Sequence, residues 1–346
     1  MKVITICGTR PEFLRLIPTI RKLYKYFDHK IIWTNQNFED CLSTQFFEEF
    51  KIKPDYFVEN KEKCVGIDYI SFVMPKIREV LEKEKPDKIL VLGDTNSVLS
   101  AVLVAKKMGI TIFHTEAGNR CYRPDVTPEE INRYIIDSIA DWHLCYTQRA
   151  REQLLLEGKR PDRVIVVGNP IAELIYEIPL CESEPDITEK YYLSTIHRKE
   201  NIEEKKRLKE IIKSLSFLKH KVKLSGHPSL ISKLKKYKIK LNKNIELFEP
   251  CNFKDFLNLE FNAVAMVSDS GTAPEENHLL FKPCVLLRLS TERPELLESN
   301  DMIVCSEPRE LKTALKIAEG ELEDNIDIPE YHGLFSSIVV KILMRD

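Results

Sequence analysis

Acidic residues gather where apolar runs of this chain end. The stretch FHTEAGNRCYRPDVTPEEINR, beginning at Phe113, carries Glu116 just after a strand-like run and brings Glu129 and Glu130 together as a helical pattern starts. Asp94 follows another such run, in GDTNS. Three chemistries are open to this set. Carboxylates suit Mg or Mn, positioned carboxylates can take and return a proton, and acids in the first turn of a helix can simply favour its dipole. Because the acids come from separate strand ends near Arg10, Arg120 and Arg133, a mixed-charge pocket fits better than a metal cage. The first-turn reading suits Glu129 and Glu130 after Pro128. Asp94 and Glu116 resist it, since each ends a buried type of strand, where an unpaired carboxylate is costly.

Other polar groups occupy equivalent places. In GTRPE, Gly8 permits a tight turn, Arg10 offers a planar fork of donors and Pro11 suits the first turn of a helix. This combination fits a phosphate or diphosphate at a helix N-terminus; an ordinary strand-to-helix turn with a surface arginine accounts for it equally. In DSGTAPEENHLL, Ser270, Gly271 and Thr272 stand where a helix should begin, Glu276 lies one turn in, and Arg293 leads the next turn in STERPE. Backbone N–H groups and hydroxyls there can hold phosphate, Glu276 can accept two ribose hydroxyls, and Arg293 can neutralise a phosphate bidentately. Simple capping of the helix by Ser270 uses the same orientation. His197, in TIHRKEN, follows a strand beside Arg198 and Lys199, a better setting for function than that of His227 in SGHPSL. Neither GxGxxG nor GxxxxGK[ST] occurs after the first strand, which disfavours NAD and P-loop chemistry.

These residues require elements to hold them. Short β-branched runs alternate with longer amphipathic stretches, the pattern of parallel α/β units. KVITIC, KIIWT, KILVLG, ITIFH, WHLCYT and RVIVVG belong to a first set, with helices between them. A second set comprises YYLST, KVKLSG, NIELFEP, AVAMVSDSG, PCVLLR and MIVC, with a charged helix expected over residues 202–218. The Pro- and acid-rich text PLCESEPDITEK reads as a linker. The expected division is residues 1–177, an N-terminal Rossmann-like domain, and 178–331, a C-terminal one, with a helix in 332–346 packing back on the first. Facing parallel sheets would place strand carboxyl ends in a central cleft.

Bulk properties agree with a globular chain of two domains. It has 346 residues, 43% of them hydrophobic, and a formal net charge of -2, which gives nucleic acid or an anionic membrane no electrostatic hold. The start MKVITICGTRPE is not a signal peptide and no run reaches the length of a membrane span, so a cytoplasmic location is expected. Nine cysteines are scattered without C-x-x-C or zinc spacing and read as reduced thiols.

Taken in order, GTRPEFLRLIP, GDTNS, EAGNR with PEEINR, HRKEN, DSGTAPEE and RLSTERPE resemble the non-hydrolysing UDP-N-acetylglucosamine 2-epimerases. The stretch TNQNFEDCLSTQFFEEFKIKPDYF looks closest to the branch that includes UDP-N-acetyl-fucosamine-forming enzymes. The resemblance implies a GT-B architecture, a homodimer, UDP-sugar and UDP as ligands, and interconversion of UDP-GlcNAc and UDP-ManNAc with no metal or NAD cofactor. It places Asp94, Glu116, Glu129 and His197 on catalytic positions. Arg10, Arg15, Phe256, Ser270, Gly271, Thr272, Glu276 and Arg293 fall in the substrate-binding set, although Arg15, Thr272 and Cys251 replace the usual Lys, Gly and Gln. NQN stands where the family's activator-binding GQH would, so regulation at a second UDP-GlcNAc site is not carried over from the resemblance.

The chemistry this implies follows from the substrate. The C2 proton of an N-acetylhexosamine has no neighbouring carbonyl to acidify it, so expulsion of UDP from C1 must accompany its loss, giving a glycal. The acids would then move the proton, and Arg10, His197 and Arg293 would stabilise the departing diphosphate. The same sequence leaves room for a 6-deoxy UDP-N-acetylhexosamine as substrate, a hydrolysing 2-epimerase, a GT-B glycosyltransferase, or a nucleotide-sugar sensor without turnover.

Overall fold

In the computed structural model, residues 1–36, 45–123, 129–180, 190–298, 302–321, 328, 331 and 333–345 are described. The chain divides into one unit made of Met1–Glu177 with Pro329–Asp346, and a second made of Ile178–Ile328. Most of the expected linker, and Pro128, lie outside the described residues.

The first unit runs β1 (Lys2–Cys7), α1 (Arg10–Tyr26), β2 (Asp28–Trp33), α2 (Gln45–Phe50), β3 (Tyr56–Phe57), α3 (Gly66–Glu84), β4 (Lys88–Leu92), α4 (Asn96–Lys107), β5 (Thr111–Thr115), α5 (Glu129–Ile139), β6 (Trp142–Cys145), α6 (Gln148–Leu156), β7 (Val164–Val166) and α7 (Pro170–Glu177). Its seven strands form one sheet in the order β3-β2-β1-β4-β5-β6-β7, with every neighbouring pair parallel. Val3, Ile4 and Ile6 of β1 and Ile89, Leu90 and Val91 of β4 are fully buried, because helices cover both faces. That coverage explains the continuous apolar runs.

The second unit runs β8 (Tyr191–Thr195), α8 (Lys199–Ile202), α9 (Lys205–Ser216), β9 (Lys221–Ser225), α10 (Pro228–Tyr237), β10 (Ile245–Phe248), α11 (Phe253–Asn262), β11 (Ala265–Ser268), α12 (Ala273–Leu279), β12 (Cys284–Leu286), α13 (Pro294–Glu298), β13 (Met302–Val304) and α14 (Leu311–Glu321). Six parallel strands lie in the order β10-β9-β8-β11-β12-β13. The fold is α/β with two Rossmann-like parallel sheets. The charged helix expected over 202–218 is α9, Lys205–Ser216, and a short helix the sequence reading did not separate, α8, precedes it. Asn201 accounts for α8, since its side chain is committed to Asp269 (3.0 Å) and the Leu287 carbonyl (2.9 Å), which pins this short helix to the sheet.

The last helix, α15 (Phe335–Arg345), belongs to the first unit and packs on α1 and α7. Glu173 of α7 accepts from the Ser336 N–H at 2.8 Å, from the Ser336 hydroxyl and from Lys22 Nζ at 3.1 Å. In each sheet the strand order reverses beside a central strand, at β1/β4 and at β8/β11. Sheets of this kind bind ligands beyond the strand carboxyl ends at the reversal.

Candidate active site

Each unit carries its own cluster of polar groups at those strand ends. In the first, Gly8 follows β1 where no side chain fits, since a Cβ would lie 2.0 Å from Ser97 Oγ and 2.3 Å from Thr34 Oγ1. Thr9 precedes α1, and Glu12 turns back so that its carboxylate accepts the N–H groups of Gly8 (2.6 Å) and Thr9 (3.2 Å). This is the reciprocal half of a capping box. Arg10 and Pro11 open the helix, and Arg10 is half-buried.

Burial pushes the Glu12 carboxyl up to about 7, against the pull of those hydrogen bonds. A carboxyl raised on folding takes up a proton, so its contribution to stability is full below about pH 4.3, its ordinary unfolded value. It is lost as pH rises through about 7. Denaturant midpoints measured across this interval should therefore fall with pH in the wild type, and Glu12→Gln should flatten the slope. Equal slopes would contradict the assignment.

Asp94 and Glu116 stand at the ends of the adjacent strands β4 and β5. Asp94 Oδ2 meets Arg133 Nη2 at 2.7 Å, and its carbonyl accepts from Asn132 Nδ2 at 2.8 Å, so helix α5 grips the turn from two residues. Glu116 takes a left-handed backbone conformation (φ 69°), which a glutamate adopts only under tertiary constraint. Its Oε2 accepts from Arg15 Nη1 at 2.9 Å and from the Tyr146 hydroxyl at 3.2 Å. A Cβ on Gly93 would sit 3.7 Å from that same oxygen, which places the two turns side by side.

The constraint on Glu116 has an identifiable source. Two residues on, Gly118 (φ 85°) passes so close to α6 that a Cβ would lie 2.2 Å from the Ala150 carbonyl oxygen. Its N–H is held by Asp137 Oδ2 at 3.1 Å. Asp137 also meets His114 Nδ1 at 2.8 Å and Arg120 Nη1 at 2.7 Å, and the other His114 nitrogen reaches the Gly93 carbonyl at 2.9 Å. Burial alone would raise the Asp137 carboxyl, but His114 and Arg120 outweigh it and hold it well below the usual carboxylate range.

Arg120 therefore does not join Arg133 among the acids, as the sequence suggested. Its Nη1 is taken by Asp137, and its Nε and Nη2 fork onto Glu157 at 3.0 and 2.7 Å. Glu130 does more than the first-turn reading requires. It is fully buried, accepts the N–H groups of Cys121 and Tyr122, and pairs with Arg133 Nη1 at 2.5 Å. Burial pushes its carboxyl up, yet Arg133 and those N–H groups hold it below the ordinary range. Glu129, the first residue of α5, stays partly exposed.

In the second unit, buried Asp269 organises the ends of β8 and β11. It accepts the N–H of His197 (3.0 Å) and of Arg198 (3.0 Å), and His197 Nδ1 lies 3.3 Å from its other oxygen. His227 tilts against the His197 ring with centroids 5.2 Å apart, and burial lowers its pKa to about 4. Ser270 is not the helix cap: Thr272 occupies that position, and Ser270 Oγ accepts the Thr272 N–H at 3.3 Å. A Cβ at Gly271 would lie 2.6 Å from Glu292 Oε1 and 3.7 Å from Arg198 Nη2, so this loop runs against charged groups from two other elements. Arg293, almost wholly buried, binds Glu275 Oε1 at 2.5 Å, and Glu276 is the next residue of α12. Phe256, half-buried on α11, packs against the buried cluster that includes Tyr191 and Ala273.

The structure thus brings Asp94, Glu116 and Arg15 together in one unit, and His197, Ser270 and Gly271 in the other. Sequence reasoning missed Asp269, Glu275, Asp137 and Tyr146. Thr9-x-x-Glu12 was findable as a capping box; Asp137 carries no local signal, as its partners lie 17 to 23 residues away. Among the described residues no group of three or more His, Cys, Asp or Glu is arranged to hold a metal ion, and no helix is long and apolar enough to cross a membrane.

Comparison with known proteins agrees along nearly the whole length. Residues 21–330 match the family model described as UDP-N-acetylglucosamine 2-epimerase. The UDP-N-acetylglucosamine 2-epimerase of Methanocaldococcus jannaschii is 36% identical over 329 residues, covering 90% of each chain. A crystal structure of the Methanocaldococcus jannaschii enzyme, in complex with UDP-GlcNAc and UDP, superposes with a TM-score of 0.91 at 35% identity over all of both chains. The Neisseria meningitidis enzyme bound to UDP-GlcNAc gives 0.89 at 28% identity, again over both whole chains. With two parallel sheets of the GT-B type and matches of this extent, the chain belongs to the UDP-N-acetylglucosamine 2-epimerase family.

Proposed function

We propose that the chain interconverts UDP-GlcNAc and UDP-ManNAc without hydrolysis, by expelling UDP to form a 2-acetamidoglucal and adding it back. The observation that carries this reading is the pair of carboxylates on adjacent strand ends, Asp94 and Glu116, each gripped by an arginine. Such fixation suits groups that must meet one hydrogen atom at a defined place.

In this reading Asp94, Glu116 and Glu129 move the C2 proton, one removing it and another returning it on the opposite face. Arg15 acts through the carboxylate it touches. Ser270, Gly271 and Thr272 hold the diphosphate, with Arg10, His197 and Arg293 balancing the charge that grows on it as the C1–O bond breaks. Glu276 accepts the ribose hydroxyls, and Phe256 lies against the nucleoside. Asp269 fixes the backbone of residues 197 and 198, which orients His197 without touching substrate.

Bond cleavage at C1 is tested by isotope exchange. UDP-GlcNAc labelled with oxygen-18 in the sugar-phosphate bridge should scramble that label into non-bridging positions as fast as, or faster than, the sugar epimerises. A label that stays in place while UDP-ManNAc accumulates would end the elimination scheme. Preferred turnover of a 6-deoxy UDP-sugar would change the substrate and leave the chemistry standing. His197→Ala should lower kcat by about a hundredfold, the scale of losing one charge-stabilising donor, with secondary structure by circular dichroism unchanged.

A further inference from the structure

Behind the loop assigned to the nucleotide, α11 brings a second carboxyl against α12. Glu260 is fully buried. Its Oε1 accepts from Asn277 Nδ2 at 3.1 Å, while its equally buried Oε2 finds no donor among the described residues. No cation pairs with it there either. What faces it is the carboxylate of Glu276, within hydrogen-bonding range and itself almost wholly buried. Two ionised carboxylates do not share such a place, whereas a protonated carboxyl donating to a carboxylate makes one of the stronger hydrogen bonds.

We propose that Glu260 is a positioning residue which keeps its proton and donates it to Glu276, holding that carboxylate in the orientation that receives the ribose hydroxyls of a uridine nucleotide. The proposal rests on the reading of Glu276 as the ribose ligand. An ionised carboxylate has about four acceptor positions. A proton donated by Glu260 at one of them fixes the rotation of the group. A carboxylate restrained in this way loses less freedom when the ligand arrives.

Burial, followed by the charge of Glu276, pushes the Glu260 carboxyl well above its ordinary range. Cys284 of β12 is itself pushed up by burial and by both glutamates, and Tyr191 of β8, bonded to the Leu259 carbonyl at 2.8 Å, is pushed up to about 12. Lys282 lies over the Phe261 ring, its pKa lowered by burial, and Glu275 is tied to Arg293. As pH climbs through the raised Glu260 value, the donor is lost and a second negative charge faces Glu276. Nucleotide affinity then falls.

The test is UDP binding by calorimetry, measured on the full chain from about pH 7.5 to about pH 9.5, within the range buried glutamates reach. Glu260→Gln supplies a neutral donor that cannot ionise, and comparing it with the wild type at each pH cancels the titration of UDP itself. The two Kd values should agree within about twofold at the lower pH, and the wild type should weaken about tenfold relative to Glu260→Gln at the upper, one pKa unit's worth. Glu260→Leu should bind about tenfold more weakly at every pH. A ratio that does not move with pH, or a Glu260→Leu protein that binds like the wild type, overturns the proposal. Infrared spectra supply a readout independent of UDP: in the difference spectrum of wild type minus Glu260→Gln, where the Glu12 contribution common to both cancels, the C=O stretch of one protonated carboxyl should remain, and its absence from that difference also overturns the proposal. If Glu276→Gln binds UDP normally, it is the ribose assignment that has failed, a result separate from the fate of the shared proton.

Discussion

Glu116→Gln is expected to lower kcat for epimerisation by about a thousandfold, the middle of the range for losing a positioned acid or base. Glutamine keeps the length and one oxygen of glutamate, so Arg15 and Tyr146 retain an acceptor and the protein should fold. What it cannot do is take or give the C2 proton. Stability should drop by only about 1 to 2 kcal/mol, the scale of weakening a charge-assisted hydrogen bond, and KM should change little. Turnover near the wild-type rate would remove Glu116 from the proton-handling set, and a collapsed denaturation midpoint would recast it as a structural residue.

The second large effect falls on stability. Arg120 touches no substrate in this account, yet it neutralises Asp137, which holds His114 and the Gly118 N–H. Arg120→Met leaves a buried carboxylate with one partner fewer and should cost roughly 3 kcal/mol, the lower end for breaking a buried pair. Because folding depresses the Asp137 pKa, its contribution is present above the ordinary unfolded value of about 3.9 and is lost as pH falls towards the folded value. Removing Arg120 raises the folded value, so the acid-side loss of stability should be smaller in the variant. Urea denaturation at neutral pH and near pH 3 measures both effects. Since Gly118 lies two residues from Glu116, kcat should also fall in the folded variant. An unchanged midpoint would show that His114 and the backbone suffice to carry Asp137.

The α/β class and the positions of Asp94, Glu116, His197 and the 270–272 loop were legible because strand and helix periods are local, and polar groups at strand ends interrupt long apolar runs. The long-range pairings were not. Nothing in EAGNR says that Arg120 turns away to Asp137 and Glu157, nor that Arg15, a full α1 turn past GTR, reaches Glu116. Such partners are chosen by sheet order, which puts β1, β4 and β5 side by side. Glu130 shows the same limit in reverse: by position it is a helix-start acid, but the turn at 121 and 122 supplies N–H groups that bury it. The short helix α8 ahead of the expected charged helix was not legible for a similar reason, since Asn201 answers to Asp269, 68 residues away.

In the proposed reaction, side-chain carboxylates exchange the C2 hydrogen of the sugar with solvent while the UDP-sugar is conserved. The most direct measurement is proton NMR of UDP-GlcNAc incubated with the protein in deuterium oxide. The predicted result is deuterium at C2 of intact UDP-sugar, with the C2 proton signal disappearing as UDP-ManNAc grows in. Epimerisation that retains the original proton at C2, or release of free sugar and UDP as the main products, would contradict it.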